Sequence, residues 1–281
     1  MLRRPRRVRR ITPIALHRLI PNILTLLALC AGMTAIRFAL DDRFEWATVA
    51  VIVAAVLDGL DGTIARLLKA TSPFGAQLDS LSDFVSFGVA PAVLLYLWTM
   101  HDLHSLGWVL VLLFGVCCAL RLARFNTQIG VERPAYAHNF FTGVPAPAAA
   151  GVVLMPMFFY FEFGGSFFRS PYLCGATLAA VAALMVSRVP TYSIKPHVLL
   201  WIALRIPGGR GPLLLLAGLA ALVAFFTSEP WATLLVVFGG YLASIPYGIR
   251  HYRRLREAAE QLRTELTRED EPPAAGEPRP S

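Results

Sequence analysis

Long apolar stretches, separated by short polar turns, set the pattern along this chain. An α-helix of about 20 apolar residues crosses the hydrocarbon core of a bilayer. On that basis the pattern predicts spans near 19–40, 46–68, 79–99, 106–124, 144–163, 172–188, 212–227 and 231–249. The polar positions between them alternate in sign. Arg66 and Lys69, then Arg121, Arg124 and Arg133, then Arg188, Lys195, Arg205 and Arg210 mark one side. Asp41, Asp42 and Glu45, then Asp102, Glu162 and Glu229 mark the other, with Arg43 and Arg169 as exceptions. Basic loops stay cytoplasmic, so both termini are expected in the cytoplasm, which requires an even number of spans. Eight fits the pattern, and six is the fallback because the last two stretches are short. The fold class is therefore all-α, a polytopic membrane helix bundle. Residues 196–211 read as an interfacial or re-entrant piece, since Val198 to Leu204 is too short to span and runs into Pro207, Gly208 and Gly209. The organisation expected is a basic cytoplasmic segment at 1–18, a transmembrane domain at 19–249, and a charged cytoplasmic helix and tail at 250–281. The closing PPAAGEPRPS has the composition of disorder.

Composition strengthens the membrane reading. Of 281 residues, 56% are hydrophobic and only 16% charged, against about 25% charged in a typical soluble domain. The formal charge of +8 is concentrated at the ends: six arginines between Arg3 and Arg10, then Arg250, Arg253, Arg254 and Arg256. Basic flanks of apolar spans set topology and attract anionic headgroups, so membrane lipids and not nucleic acid are the expected partners. Cys30, Cys117, Cys118 and Cys174 all lie inside apolar runs without metal-ligand spacing, as small buried hydrophobes do. The six histidines are scattered and receive no catalytic role.

Chemistry concentrates in residues 56–92, VLDGLDGTIARLLKATSPFGAQLDSLSDFVSFGVAPA. Asp58 and Asp61 are three apart and Asp79 and Asp83 four apart, so each pair shares one helix face. A turn at Thr71–Pro73 brings the end of one helix beside the start of the next. Intramembrane carboxylates are costly and usually functional. Four together repel unless a cation sits among them, and hard oxygen ligands suit Mg²⁺ or Mn²⁺. A pair of ions about 3.5–4 Å apart would serve an in-line phosphoryl displacement. Gly62 and Gly75 clear space beside the acids for a ligand to approach the backbone. Arg66, one turn beyond Gly62, is placed to neutralise a phosphate or steady an aspartate. Ser82 and Ser86 share the aspartates' face, either supporting them or packing helices. Asn22 either caps the first helix or meets a nucleotide. A cation or proton transporter could also use clustered carboxylates, and it would show cation flux without nucleotide release.

The spacing D-x2-D-G-x2-A-R-x8-G-x3-D-x3-D, met by Asp58, Asp61, Gly62, Ala65, Arg66, Gly75, Asp79 and Asp83, resembles the signature of the CDP-alcohol phosphatidyltransferases. The resemblance implies a six-helix core, a homodimer, and a site at the cytoplasmic face of the membrane, here a bacterial inner membrane. It further implies that Asp58, Asp61 and Asp79 bind divalent metal, with Asp83 completing a second metal site and acting as base. Gly62, Ala65, Arg66 and Gly75 would hold the CDP moiety. Five further passages, at 20–32, 79–92, 120–126, 141–151 and 187–195, resemble the serine-accepting branch of that family. They imply CDP-diacylglycerol as donor and L-serine as acceptor, in phospholipid biosynthesis. Another acceptor, glycerol 3-phosphate or an inositol phosphate, is the alternative. For the serine carboxylate the candidates are Arg121, Arg124 and Asn126, since arginine binds carboxylates bidentately. The same arginines are equally accounted for by the positive-inside bias.

Overall fold

The computed structural model describes residues 19–128, 140–192 and 211–270. They fall into two compact units, divided between Trp98 and Thr99.

In the first unit, α1 (Leu19–Leu40) and α2 (Phe44–Leu67) are 22 and 24 residues long, about 33 and 36 Å at the helical rise. They meet at a tight turn in which Asp42 takes a left-handed conformation (φ 57°). Small residues line the packed face of α1, including Ala28, Gly32, Ala35 and Ala39, so its backbone lies close to its neighbours. The third crossing starts at α3 (Pro73–Asp83). It widens into a π-helical turn at Phe84–Val89 and continues as α4 (Ala90–Trp98). Pro91 explains the widening, because it has no N–H to give and its ring would strike the Phe87 carbonyl in a regular turn. Sequence pattern places the start of this crossing at residue 79. The helix begins six residues earlier because Ser72 caps it, its Oγ accepting from the Gly75 N–H at 3.0 Å, with Pro73 in the first turn.

In the second unit, a 3₁₀ turn (Met100–Leu103) leads into α5 (Ser105–Thr127), which packs chiefly against α8 (Pro171–Val186). Between them, α6 (Ala146–Val153) and α7 (Met155–Phe163) form one apolar run bent by 41° at Leu154, next to Pro156. A two-stranded antiparallel ribbon pairs β1 (Phe140–Thr142) with β2 (Pro190–Tyr192) in the register Phe141 to Thr191. Gly143 follows β1 at φ 81°, and a Cβ there would fall 2.6 Å from the Met185 carbonyl oxygen. The last two helices are α9 (Gly211–Ser228) and the 41-residue α10 (Pro230–Asp270). Aromatic contacts hold α7 to α10, with Phe161 against Trp231 at 4.9 Å and Phe158 against Phe238 at 6.1 Å.

Among the described residues six helices are long and apolar enough to cross a membrane, counting α3, its π-turn and α4 as one, and the bent α6–α7 pair makes a seventh. The 16-residue α8 is apolar but shorter. An all-α polytopic membrane bundle is what the sequence pattern predicts. The expected interfacial piece at 196–211 and the basic segment at 1–18 fall outside the described residues, apart from Gly211, which opens α9.

Candidate functional site

α2 and α3 each deliver carboxylates to one place in the first unit. Asp58, Asp61 and Asp79 each bring a carboxylate oxygen within 4.8 Å of the others. At that separation two unit charges repel by roughly 3.5 kcal/mol at an effective dielectric near 20. Asp61 is only 4% exposed and Asp58 and Asp79 are half-buried, so water screens the trio only in part. A hard divalent cation fits this donor set, which is all carboxylate oxygen. Asp83 stands one helical turn beyond Asp79, outside the trio. It closes α3 just where the π-turn begins.

Beside the trio lies an open cleft of about 170 Å³. Its walls are Pro21, Asn22 and Thr25 from α1, Asp61, Gly62 and Ala65 from α2, residues 70–72 of the turn, and Gly75, Ala76 and Asp79 from α3. Gly62 faces open space, for a Cβ built on it meets no atom within 4 Å. Gly75 is tight: a Cβ there would lie 3.1 Å from both Asn22 Oδ1 and Ser72 Oγ. Gly62, Ala65 and Gly75 all line the cleft. Arg66 instead folds back along its own helix, Nε donating to the Gly62 carbonyl at 3.0 Å, and is exposed.

Two residues show their roles only in three dimensions. Asn22 lies three residues inside α1, which starts at Leu19, so it does not cap that helix and lines the cleft instead. The Thr25 hydroxyl donates to Asp61 Oδ2 at 2.5 Å, with the Pro21 carbonyl 3.1 Å away as a second acceptor. The available signal is the pair Asn22 and Thr25, polar and three apart in the otherwise apolar first half of the helix. Ser82 and Ser86 tie helices together: their hydroxyls donate to the Thr25 and Ala28 carbonyls at 3.1 and 3.2 Å.

The residues considered for a carboxylate ligand, Arg121, Arg124 and Asn126, all lie near the C-terminal end of α5, in the second unit. Arg124 Nη1 donates to the Val186 carbonyl at 3.0 Å. That carbonyl closes α8 and has no partner within its own helix, so Arg124 acts there as a helix terminator.

The CDP-alcohol phosphatidyltransferase family model matches residues 18–203, and a second model of that name, CDP-alcohol phosphatidyltransferase 2, matches 212–246. The chain belongs to this family. The first match contains the carboxylate trio, its cleft and Asp83 together. Among curated relatives, the CDP-diacylglycerol–serine O-phosphatidyltransferase of Mycobacterium tuberculosis is 39% identical over 243 residues, 86% of this chain and 82% of that one. The protein of the same name from Bacillus subtilis is 31% identical over 178 residues, covering 63% of this chain and 92% of its own length. The archaetidylserine synthase of Methanothermobacter thermautotrophicus is 33% identical over 175 residues, 60% of this chain and 68% of the relative. Membership in the CDP-alcohol phosphatidyltransferases replaces the transporter alternative, because the clustered acids sit within the matched domain.

Proposed function

We propose that this chain makes phosphatidylserine, transferring the phosphatidyl group of CDP-diacylglycerol to the hydroxyl of L-serine with release of CMP. The observation that carries this reading is the carboxylate trio beside a glycine-opened cleft, in a chain 39% identical to a serine phosphatidyltransferase across most of both lengths. Asp58, Asp61 and Asp79 would hold Mg²⁺ or Mn²⁺, with Asp83 contributing to a second ion. Bound there, the ions supply positive charge to the diphosphate and to the departing CMP.

The chain's own residues do the rest. Gly62 leaves room for the nucleotide to lie against the α2 backbone, and Asn22 and Ser72 present polar atoms on the facing wall. Asp83 takes the proton of the serine hydroxyl, which is a poor nucleophile until a positioned base removes it. The serine oxygen then bonds to the lipid-side phosphorus while the bond from that phosphorus to the bridging oxygen breaks, and CMP leaves with the electron pair. We place the site at the cytoplasmic face of a bacterial inner membrane, in a homodimer.

The test follows CMP release from CDP-diacylglycerol by the purified full chain in detergent. Expected is release that requires L-serine, stops on chelation of divalent metal, and falls by at least about a hundredfold in Asp83→Asn, the scale of a lost general base. Release with glycerol 3-phosphate or an inositol phosphate in place of serine would overturn the acceptor and leave the reaction class standing.

A further inference from the structure

We infer that Thr25 is a positioning residue for the carboxylate trio, holding Asp61 at a set angle and tying the two carboxylate-bearing helices to α1. The inference rests on the reading of Asp58, Asp61 and Asp79 as cation ligands, and it concerns a residue outside the aspartate signature.

Three observations converge on Thr25. Its hydroxyl donates to Asp61 Oδ2 at 2.5 Å, and both residues are 4% exposed, so water does not compete for the bond. Its carbonyl accepts from Ser82 Oγ at 3.1 Å, and Ser82 lies on α3 between Asp79 and Asp83. One residue of α1 therefore holds an aspartate of α2 through its side chain and the aspartate helix α3 through its backbone. One turn further along, Ser86 Oγ donates to the Ala28 carbonyl. Gly32 then lets the π-turn approach so closely that a Cβ on it would lie 2.8 Å from Ser86 Cα. The seam leaves little room for α1 to slide.

The physical consequence is rotational. The terminal torsion of an aspartate is broad and twofold, so an untethered carboxylate swings among orientations. A hydrogen bond to Oδ2 fixes the carboxylate plane and also lowers the cost of keeping charge at a buried position. Partners of this kind hold a ligand in its binding pose, and their loss typically costs about 10–100-fold in metal affinity.

The experiment titrates the full chain in detergent with Mn²⁺ and no lipid substrate, reading free Mn²⁺ by electron paramagnetic resonance. Thermal unfolding in chelator runs alongside. Thr25→Val keeps the side-chain shape and removes the donor, so it should weaken Mn²⁺ binding about tenfold or more. Thr25→Ser restores the hydroxyl and should bind within about twofold of the parent, because the donor of that hydrogen bond is retained. Ser86→Ala loses a buried hydrogen bond of the same seam without touching an aspartate. It should lower the unfolding temperature and leave Mn²⁺ affinity unchanged. If Thr25→Val does not fold, Thr25→Ala carries the same comparison. Unchanged affinity in the donor-less variant would overturn the inference, as would equal weakening in Ser86→Ala, which would make the effect one of helix packing. Absence of Mn²⁺ binding by the parent chain would instead overturn the metal reading itself, and this inference with it.

Discussion

Gly62 and Gly75 border the same cleft and constrain it in opposite ways. A side chain at Gly62 meets open space, so Gly62→Val should fold with little change in unfolding temperature. Its methyls would nonetheless occupy room that the nucleotide needs. Catalytic efficiency with CDP-diacylglycerol is expected to fall at least about tenfold, equivalent to about 1.4 kcal/mol, in steady-state CMP release. Gly75→Ala pushes a methyl against Asn22 and Ser72, so stability and activity should fall together. Arg124 offers a second residue-level contrast. Its bond to the Val186 carbonyl predicts that Arg124→Met loses about 1–3 kcal/mol, seen in thermal unfolding, with an unchanged KM for serine. The aspartates were legible because spacings of three and four align side chains on one helix face. Thr25 was not, because it reaches Asp61 across 36 residues of sequence and no local period links the two. For Arg124 the sequence leaves a carboxylate ligand and the positive-inside bias open, and its bond to Val186 was likewise illegible because it depends on where α8 ends.

Elements were legible where polarity alone marks their ends, and less so where capping does. Hydropathy started the third crossing at Asp79, which would put that residue in a first helical turn. The Ser72 cap and Pro73 move the start back, so Asp79 sits nearly two turns inside a regular helix and its direction is set by α3. Ser72→Ala should therefore cost about 1 kcal/mol and loosen the turn from which Gly75 and Asp79 are aimed. The measured signs would be a lower unfolding temperature and a higher Mn²⁺ requirement, both reversed by Ser72→Thr. The π-turn before Pro91 was invisible to a period-based reading, since a single widened turn shifts the pattern by one residue only. α10 shows the converse. Polarity changes near residue 249, yet the backbone ladder ignores side-chain polarity and runs on to Asp270. Exposed pairs such as Arg256 with Glu260, at 2.8 Å, lie along that outer part.

Across the whole molecule, the charge alternation seen in the sequence lands on successive helix ends. Asp41 and Asp42 fall between α1 and α2, and Lys69 between α2 and α3. Asp102 precedes α5, Arg124 ends it, Glu162 ends α7, Arg188 follows α8, and Glu229 separates α9 from α10. Counting α3–α4 and α6–α7 as one crossing each, eight crossings put these acidic turns on one face and these basic ends on the other, with Arg37, Arg43 and Arg169 as exceptions. The uncertain pair is α9 and α10, since a six-span chain would also keep both termini on one side. Side-chain exposure bears on the choice. α9 leaves large apolar side chains bare on all its faces, with Leu213 71% and Val223 56% exposed, and a helix apolar all round belongs in lipid. An alkaline phosphatase domain, active only outside the cytoplasm, inserted after Ser228 should therefore be active in cells. The same domain fused before residue 1 or after residue 281 should be inactive. Activity at the Ser228 insertion requires α9 and α10 to cross as a hairpin. An inactive domain there, with active ones at Asp42 and Asp102, would reduce the chain to six crossings and lay its last two helices along the cytoplasmic surface.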